Sequence, residues 1–184
     1  MKHPLVLLTD GYGGRGGIAQ YNRHLIKALS EIKKIKKINV LQRRVFYKLE
    51  KIPSKVNLIK NISNSKLKFL IKIIIFFFYK KDFDIVFCCH IHLLPFAWLL
   101  SKKNKCPLIL NIYGEEAWNP TKHKISNYLC RKIDYLCTIR HYTAKKFIRW
   151  SQTPISKYFY IPNCIDPQKF KLKSKNLKLI KNII

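Results

Sequence analysis

Leu5-Val6-Leu7-Leu8-Thr9-Asp10-Gly11-Tyr12-Gly13-Gly14-Arg15-Gly16-Gly17-Ile18 is the stretch whose reading decides the fold. A short apolar run ends in a loop holding five of the chain's six glycines, and an amphipathic segment, 18–30, starts straight after it. Strand, glycine loop and helix N-terminus in that order offer bare backbone N–H groups and a positive dipole end to a phosphate. Glycine is suited to such a loop because a side chain would block close approach and forbid turns with φ above zero. The plain alternative is a tight strand-to-helix turn with nothing bound. With nearly every glycine gathered at one strand end, the stretch favours a domain that handles a phosphorylated ligand.

Outward from that loop, short and nearly continuous apolar runs alternate with amphipathic segments. The expected strands are 5–9, 38–42, 56–59, 85–89, 108–112, 135–139 and 158–161; the expected helices are 18–33, 66–80, 96–102, 124–132 and 143–150. Apolar strands separated by amphipathic helices imply a parallel sheet covered on both faces. The expected class is therefore α/β, a Rossmann-like doubly wound parallel sheet. In such sheets ligands bind beyond the carboxyl ends of the strands. The glycine loop, His90–His92, Tyr113–Trp118 and Arg140–Tyr142 would all gather on that rim.

At 184 residues, 48% hydrophobic, the chain is long enough for one domain with a real core. Its formal net charge of +28 predicts attraction to anions: nucleotides, anionic lipid surfaces, or nucleic acid without sequence preference. The basic residues are scattered and no recognition-helix, zinc or RNA-binding motif is present, so specific nucleic-acid recognition is not expected. The longest apolar stretch, 69–79, is interrupted by Lys72 and is shorter than the roughly 20 residues a bilayer span needs. Six cysteines occur without a CxxC pair, and Cys88-Cys89 would point to opposite faces of a strand, so reduced thiols and a cytoplasmic setting are expected.

Four constellations carry chemistry. Gly11, Gly13 and Gly16 spell G-x-G-x-x-G, a dinucleotide fingerprint that expects an acidic residue at the end of the second strand. Gln42-Arg43-Arg44 stands there instead, which disfavours NAD and leaves the extra phosphate of NADP as an alternative. Tyr113-Gly114-Glu115-Glu116-Ala117-Trp118 places two carboxylates and an indole at a strand exit, suited to gripping sugar hydroxyls and stacking on a sugar ring. His90 and His92, two apart, would share one strand face, yet no third ligand completes a metal site. The segment 66–81, with Phe69, Phe76, Phe77 and Phe78 between lysines, reads as a crossover helix or as a helix seated on an anionic membrane surface.

Taken in order, these pieces resemble the N-terminal half of a family 4 glycosyltransferase, the large retaining class with the GT-B fold. Gly16-Gly17-Ile18 with Leu25 and Ala28-Leu29 resembles the family's opening motif. Phe83-Asp84-Ile85-Val86 with His90, Cys106-Pro107-Leu108-Ile109, and Tyr113-Gly114-Glu115-Glu116 are similar to its next strands. Tyr142-Thr143-Ala144 and Ile161-Pro162-Asn163-Cys164-Ile165-Asp166 resemble the segments that close its first domain. The chain departs from the pattern at Tyr113, where the family has His, at Arg140-His141, where a small hydroxyl residue is usual, and at Cys164, where Gly is usual.

The resemblance implies a nucleotide-sugar co-substrate, no cofactor and no metal. Gly16 and Gly17 are expected at the donor diphosphate, Tyr113 and Glu115 at the catalytic positions, and His90, Glu116, Trp118 and Arg140 on the acceptor side. The acceptor would be a cell-envelope glycan or a lipid-linked molecule at the inner face of the cytoplasmic membrane. Residues 1–167 would form the acceptor-side domain, and 168–184 a basic tail or the start of a linker to a C-terminal donor-binding domain. On that expectation the chain is a fragment or truncated product, inactive alone. The alternatives are a non-catalytic subunit paired with a separate donor-binding chain, and an NADP-binding oxidoreductase domain.

Overall fold

A computed structural model describes residues 2–59, 64–79 and 83–164. Seven strands form one parallel sheet in the order β3-β2-β1-β4-β5-β6-β7. They are β1 Pro4–Leu8, β2 Ile38–Gln42, β3 Val56–Leu58, β4 Ile85–Cys88, β5 Leu108–Ile112, β6 Tyr135–Thr138 and β7 Tyr158–Tyr160. The helices between them are α1 Gly17–Glu31, α2 Lys66–Tyr79, α3 Leu94–Asn104, α4 Lys124–Cys130 and α5 His141–Ser151. β1 is an interior strand, third in the order, with Leu7 opposite Leu41 on one side and Cys88 on the other.

Alternation along β1 divides the core in two. Leu5 and Leu7 join the cluster under α2 to α5, built on Phe69, Phe76, Leu94, Leu100 and Phe147. Val6 and Leu8 face the opposite way, towards Tyr12, Tyr21 and Ile26 of the glycine loop and α1. Cys88 and Cys89 fall into different clusters, as adjacent strand-end residues must, and all six cysteines are free thiols. Chain order runs from β1 outward to β3, then restarts at β4 and runs to β7. The topological switch therefore lies between β1 and β4, the position at which sheets of this kind bind ligands beyond the carboxyl ends of their strands.

The expected elements are present with shifted ends. α3 starts at Leu94 rather than at 96, because Pro95 in a first helical turn removes an N–H that had no partner there. The strand after α2 stops at Cys88, and His90 and His92 lie on the 3₁₀ turn leading into α3, not on a strand. The stretch 168–184, expected as tail or linker, lies outside the described residues. None of the described helices is long and apolar enough to cross a membrane.

Candidate functional site

The glycine loop has two halves with different physical demands. Gly11, Gly13 and Gly14 are packed against the protein's own atoms. A Cβ on Gly11 would meet Leu8 Cδ1 at 2.9 Å, one on Gly13 would meet the Tyr47 carbonyl oxygen at 2.5 Å, and one on Gly14 would overlap the Asp10 carboxylate. Gln42, fully buried, donates to the Tyr12 carbonyl at 2.6 Å and accepts from the Tyr12 N–H at 2.9 Å. The Gly13 N–H donates to Glu50 at 2.7 Å, and Arg23 reaches Gly11 O, Gly14 O and the Glu50 carboxylate. Burial pushes the Asp10 carboxyl above its ordinary range, against the Gly11 N–H and the Arg23 and Arg44 charges that favour its ionised form.

Gly16 and Gly17 are different. Nothing lies within 4 Å of the Cβ position of either, and both are exposed. They open α1, 15 residues long, which has no side-chain N-cap and no acidic residue in its first turn. Its first N–H groups therefore keep an uncompensated positive end facing open space.

Tyr113, at the exit of β5, is buried, and its hydroxyl donates to Asn22 Oδ1 at 2.5 Å. Asn22 in turn donates to the Asp10 carbonyl at 2.7 Å, so β5, α1 and the glycine loop are tied through one hydrogen-bonded path. Tyr21 meets the Tyr113 ring edge-on at 5.5 Å. Burial drives the Tyr113 hydroxyl well above its ordinary pKa, so it stays protonated and holds position. Tyr113→Phe should therefore cost about 1–2 kcal/mol by leaving buried Asn22 Oδ1 without its donor. Thermal unfolding reads this; no loss of stability would rule out a holding role.

Glu116 folds back on its own turn, accepting from the Tyr113 N–H at 2.6 Å and the Gly114 N–H at 2.9 Å, while Glu115 is exposed at the tip. Trp118 is half-buried; its indole N–H donates to Thr143 at 3.3 Å and its ring meets Tyr142 at 5.3 Å. Arg140 is exposed at the N-terminus of α5. The structure thus brings Trp118 to the β6 exit and Tyr113 to α1. Glu115, Arg140, Gly16 and Gly17 stand on open surface of the same rim.

His90 accepts from the His92 N–H through Nδ1 at 3.1 Å. Burial, then the neighbouring His92, Arg43 and Arg44, lower its pKa to about 4. His92 also touches His123, with ring centroids 4.9 Å apart. Nothing in the sequence placed His123 here; the fold brings it from the loop before α4. Among the described residues no three His, Cys, Asp or Glu side chains come together in a way that would hold a metal ion.

No protein-family model and no curated protein matches the sequence. Solved structures do. Anabaena Alr3699/HepE in complex with UDP-glucose superposes at a TM-score of 0.60 and 12% identity, over 97% of this chain and 49% of that one. The same protein with UDP gives 0.61 at 13% identity, over 99% and 49%. The apo form of the lipopolysaccharide outer core galactosyltransferase WaaB gives 0.59 at 14% identity, over 89% and 46%. The fold is the N-terminal half of the GT-B fold. The chain spans about half the length of each of these proteins. At such identities the likeness covers backbone architecture, and roles of side chains rest on the geometry above.

Proposed function

We propose that this domain is the acceptor-side half of a retaining, family 4-like glycosyltransferase that moves a sugar from a nucleotide donor to a glycan or lipid-linked acceptor. The observation that carries the proposal is the pair Gly16-Gly17. The fold does not need Gly17 for space, yet the pair leaves the uncapped N-terminus of α1 open, as a diphosphate requires. Glu115, Glu116, Trp118, His90 and Arg140 would then face the acceptor, and Tyr113 would keep α1 and β5 in register. The sugar would be fixed between this half and a donor-binding half, in the same chain or in a separate subunit, so the 184-residue chain alone would transfer little. Support comes from the fold shared with HepE, whose structures hold UDP-glucose and UDP. The NADP reading is weaker because the Cβ sides of Gly11 and Gly13 are filled by Leu8, Gln42, Val45 and Tyr47 rather than left for a pyrophosphate.

The test is amide chemical-shift mapping on the 184-residue chain. UDP should perturb Gly16, Gly17 and Ile18, and NADPH should not. Gly17→Ala should leave stability within about 0.5 kcal/mol, because Ala is at least as good as Gly at a helix start, and should abolish the UDP response. Perturbation by NADPH alone, or an unchanged UDP response in Gly17→Ala, would overturn the proposal.

A further inference from the structure

A groove of about 500 Å³ runs between the exit of β2, the first turns of α2 and the turn into α3. Its lining carries Arg43, Arg44, Lys66, His92 and His123 and, among the described residues, no carboxylate. The rest of the lining is an apolar wall: Phe69, Leu70, Leu93 and Phe96, with the Phe69 and Phe96 rings edge-on at 6.2 Å. Past His92, Phe96 and His123 a second hollow of about 540 Å³ continues, bordered by Lys122 and Lys124. Three permanent cations, Arg43, Arg44 and Lys66, share the hollow, with the Asp10 carboxylate that feels Arg44 lying outside the lining. They repel one another, and an anion seated among them, with the His92 and His123 rings as hydrogen-bond donors, removes that repulsion. The Arg43 charge bears on both His90 and His92, which places its field inside the groove.

A small inorganic anion would leave the apolar wall unused. That wall also continues outward. Leu70, 40% exposed, starts a stripe on the solvent side of α2 with Leu67, Ile71, Ile74, Ile75 and Phe78, each between 37% and 67% exposed. α2 buries Phe69, Ile73 and Phe76 on its inner side, so its outward apolar residues are not needed for the core. From Leu67 to Phe78 the stripe runs roughly 16 Å at 1.5 Å per residue. Exposed aliphatic and aromatic side chains in a continuous row, next to Lys68 and Lys72, have the pattern that a helix lying on a lipid surface requires.

We propose that the groove binds a lipid carrying a terminal phosphate or diphosphate, the phosphate among Arg43, Arg44, Lys66, His92 and His123 and the chain along Leu70 and the outward stripe of α2. The proposal rests on the acceptor-side reading and narrows it: the acceptor is a phosphate-bearing amphiphile taken from a bilayer, not a soluble glycan. Charge complementarity selects the phosphate end, and the adjoining apolar stripe selects the lipid end.

The test is co-sedimentation of the 184-residue chain with phosphatidylcholine vesicles containing phosphatidic acid, a phosphomonoester, or phosphatidylglycerol, a diester, at matched surface charge. Binding should be several-fold tighter to the phosphatidic acid vesicles. The double variant Arg43→Ala/Arg44→Ala removes two charges and should lose about tenfold on them, with the preference for phosphatidic acid over phosphatidylglycerol abolished. The pair Arg44→Gln/Lys66→Gln, both exposed positions, carries the same expectation should the arginine pair destabilise the fold. Ile74→Asp and Phe78→Asp should weaken binding to both vesicle types. Equal binding to the two lipids would reduce the site to diffuse electrostatics and overturn the proposal. Tight binding of inorganic pyrophosphate at the groove, with Phe78→Asp without effect on vesicles, would make it a soluble-phosphate site and overturn the lipid assignment. The UDP response at Gly16 and Gly17 should persist in every groove variant, so failure here and failure of the donor reading are separable.

Discussion

Gly13→Ala is expected to cost about 2–5 kcal/mol, from about 1–2 for a side chain in a left-handed backbone and 1–3 for overpacking. Gly13 has φ of +67°, and its Cβ would stand 2.5 Å from the Tyr47 carbonyl oxygen and 2.8 Å from Val45 Cγ1. The neighbour cannot yield easily, because the Gly13 carbonyl itself accepts from the N–H groups of Phe46 and Tyr47 at 3.1 and 2.9 Å. Moving Tyr47 away to admit a methyl group would break the bonds that hold the loop after β2 against the glycine loop. For a chain of this size the loss corresponds to a fall in melting temperature of roughly 10 °C. Gly14→Ala is a gentler case, because the colliding atoms belong to the Asp10 side chain, which can rotate. A Gly13→Ala chain with less than about 1 kcal/mol of destabilisation would mean that the loop repacks freely, and the division into packed and open glycines would fall with it.

That division was not legible in the sequence, although the loop was. The sheet was legible because buried parallel strands leave near-continuous apolar runs, and β1, β2 and β5 fell where those runs stand. Helix ends were less so: Pro95 reads as a breaker in sequence, and only its place in a first turn lets α3 start ahead of it. His90 and His92 read as a strand pair because the alternating pattern carries on past Cys88; in three dimensions the chain turns there, and the turn is held by the His90 imidazole itself. Tyr113 was legible as a departure from the resembled pattern, but its partner Asn22, 91 positions away, was not, since a polar residue on a helix gives no sign of facing inward. His123 and the arginines after β2 meet only through the sheet order. Long-range pairing of that kind is a property of topology and leaves no local trace.

The second large effect is acid sensitivity seated at His90. Burial, assisted by His92, Arg43 and Arg44, sets its folded pKa at about 4, against about 6.5 for a solvated imidazole. Between those values the unfolded chain binds the proton and the folded chain does not, so stability rises with pH across that window and is lost on acidification from about 6.5 to about 4. The full shift would correspond to about 3.4 kcal/mol, and with partial solvent access to the ring about 2–3 kcal/mol is expected. Geometry gives the same sign: Nδ1 accepts from the His92 N–H only while unprotonated, so a proton placed there removes the bond that closes the turn into α3. His92, itself lowered by burial, His123 and Arg43, adds to the loss in the same direction. Urea unfolding of the native chain and of His90→Gln at pH 7 and pH 4.5 isolates the contribution, because other titrating groups cancel in the difference. His90→Gln should lose less stability than the native chain on going to pH 4.5, by about 2 kcal/mol. Parallel losses in the two proteins would show that His90 takes up its proton in the folded state near the ordinary pH, and that the positive field of Arg43 and Arg44 does not reach it.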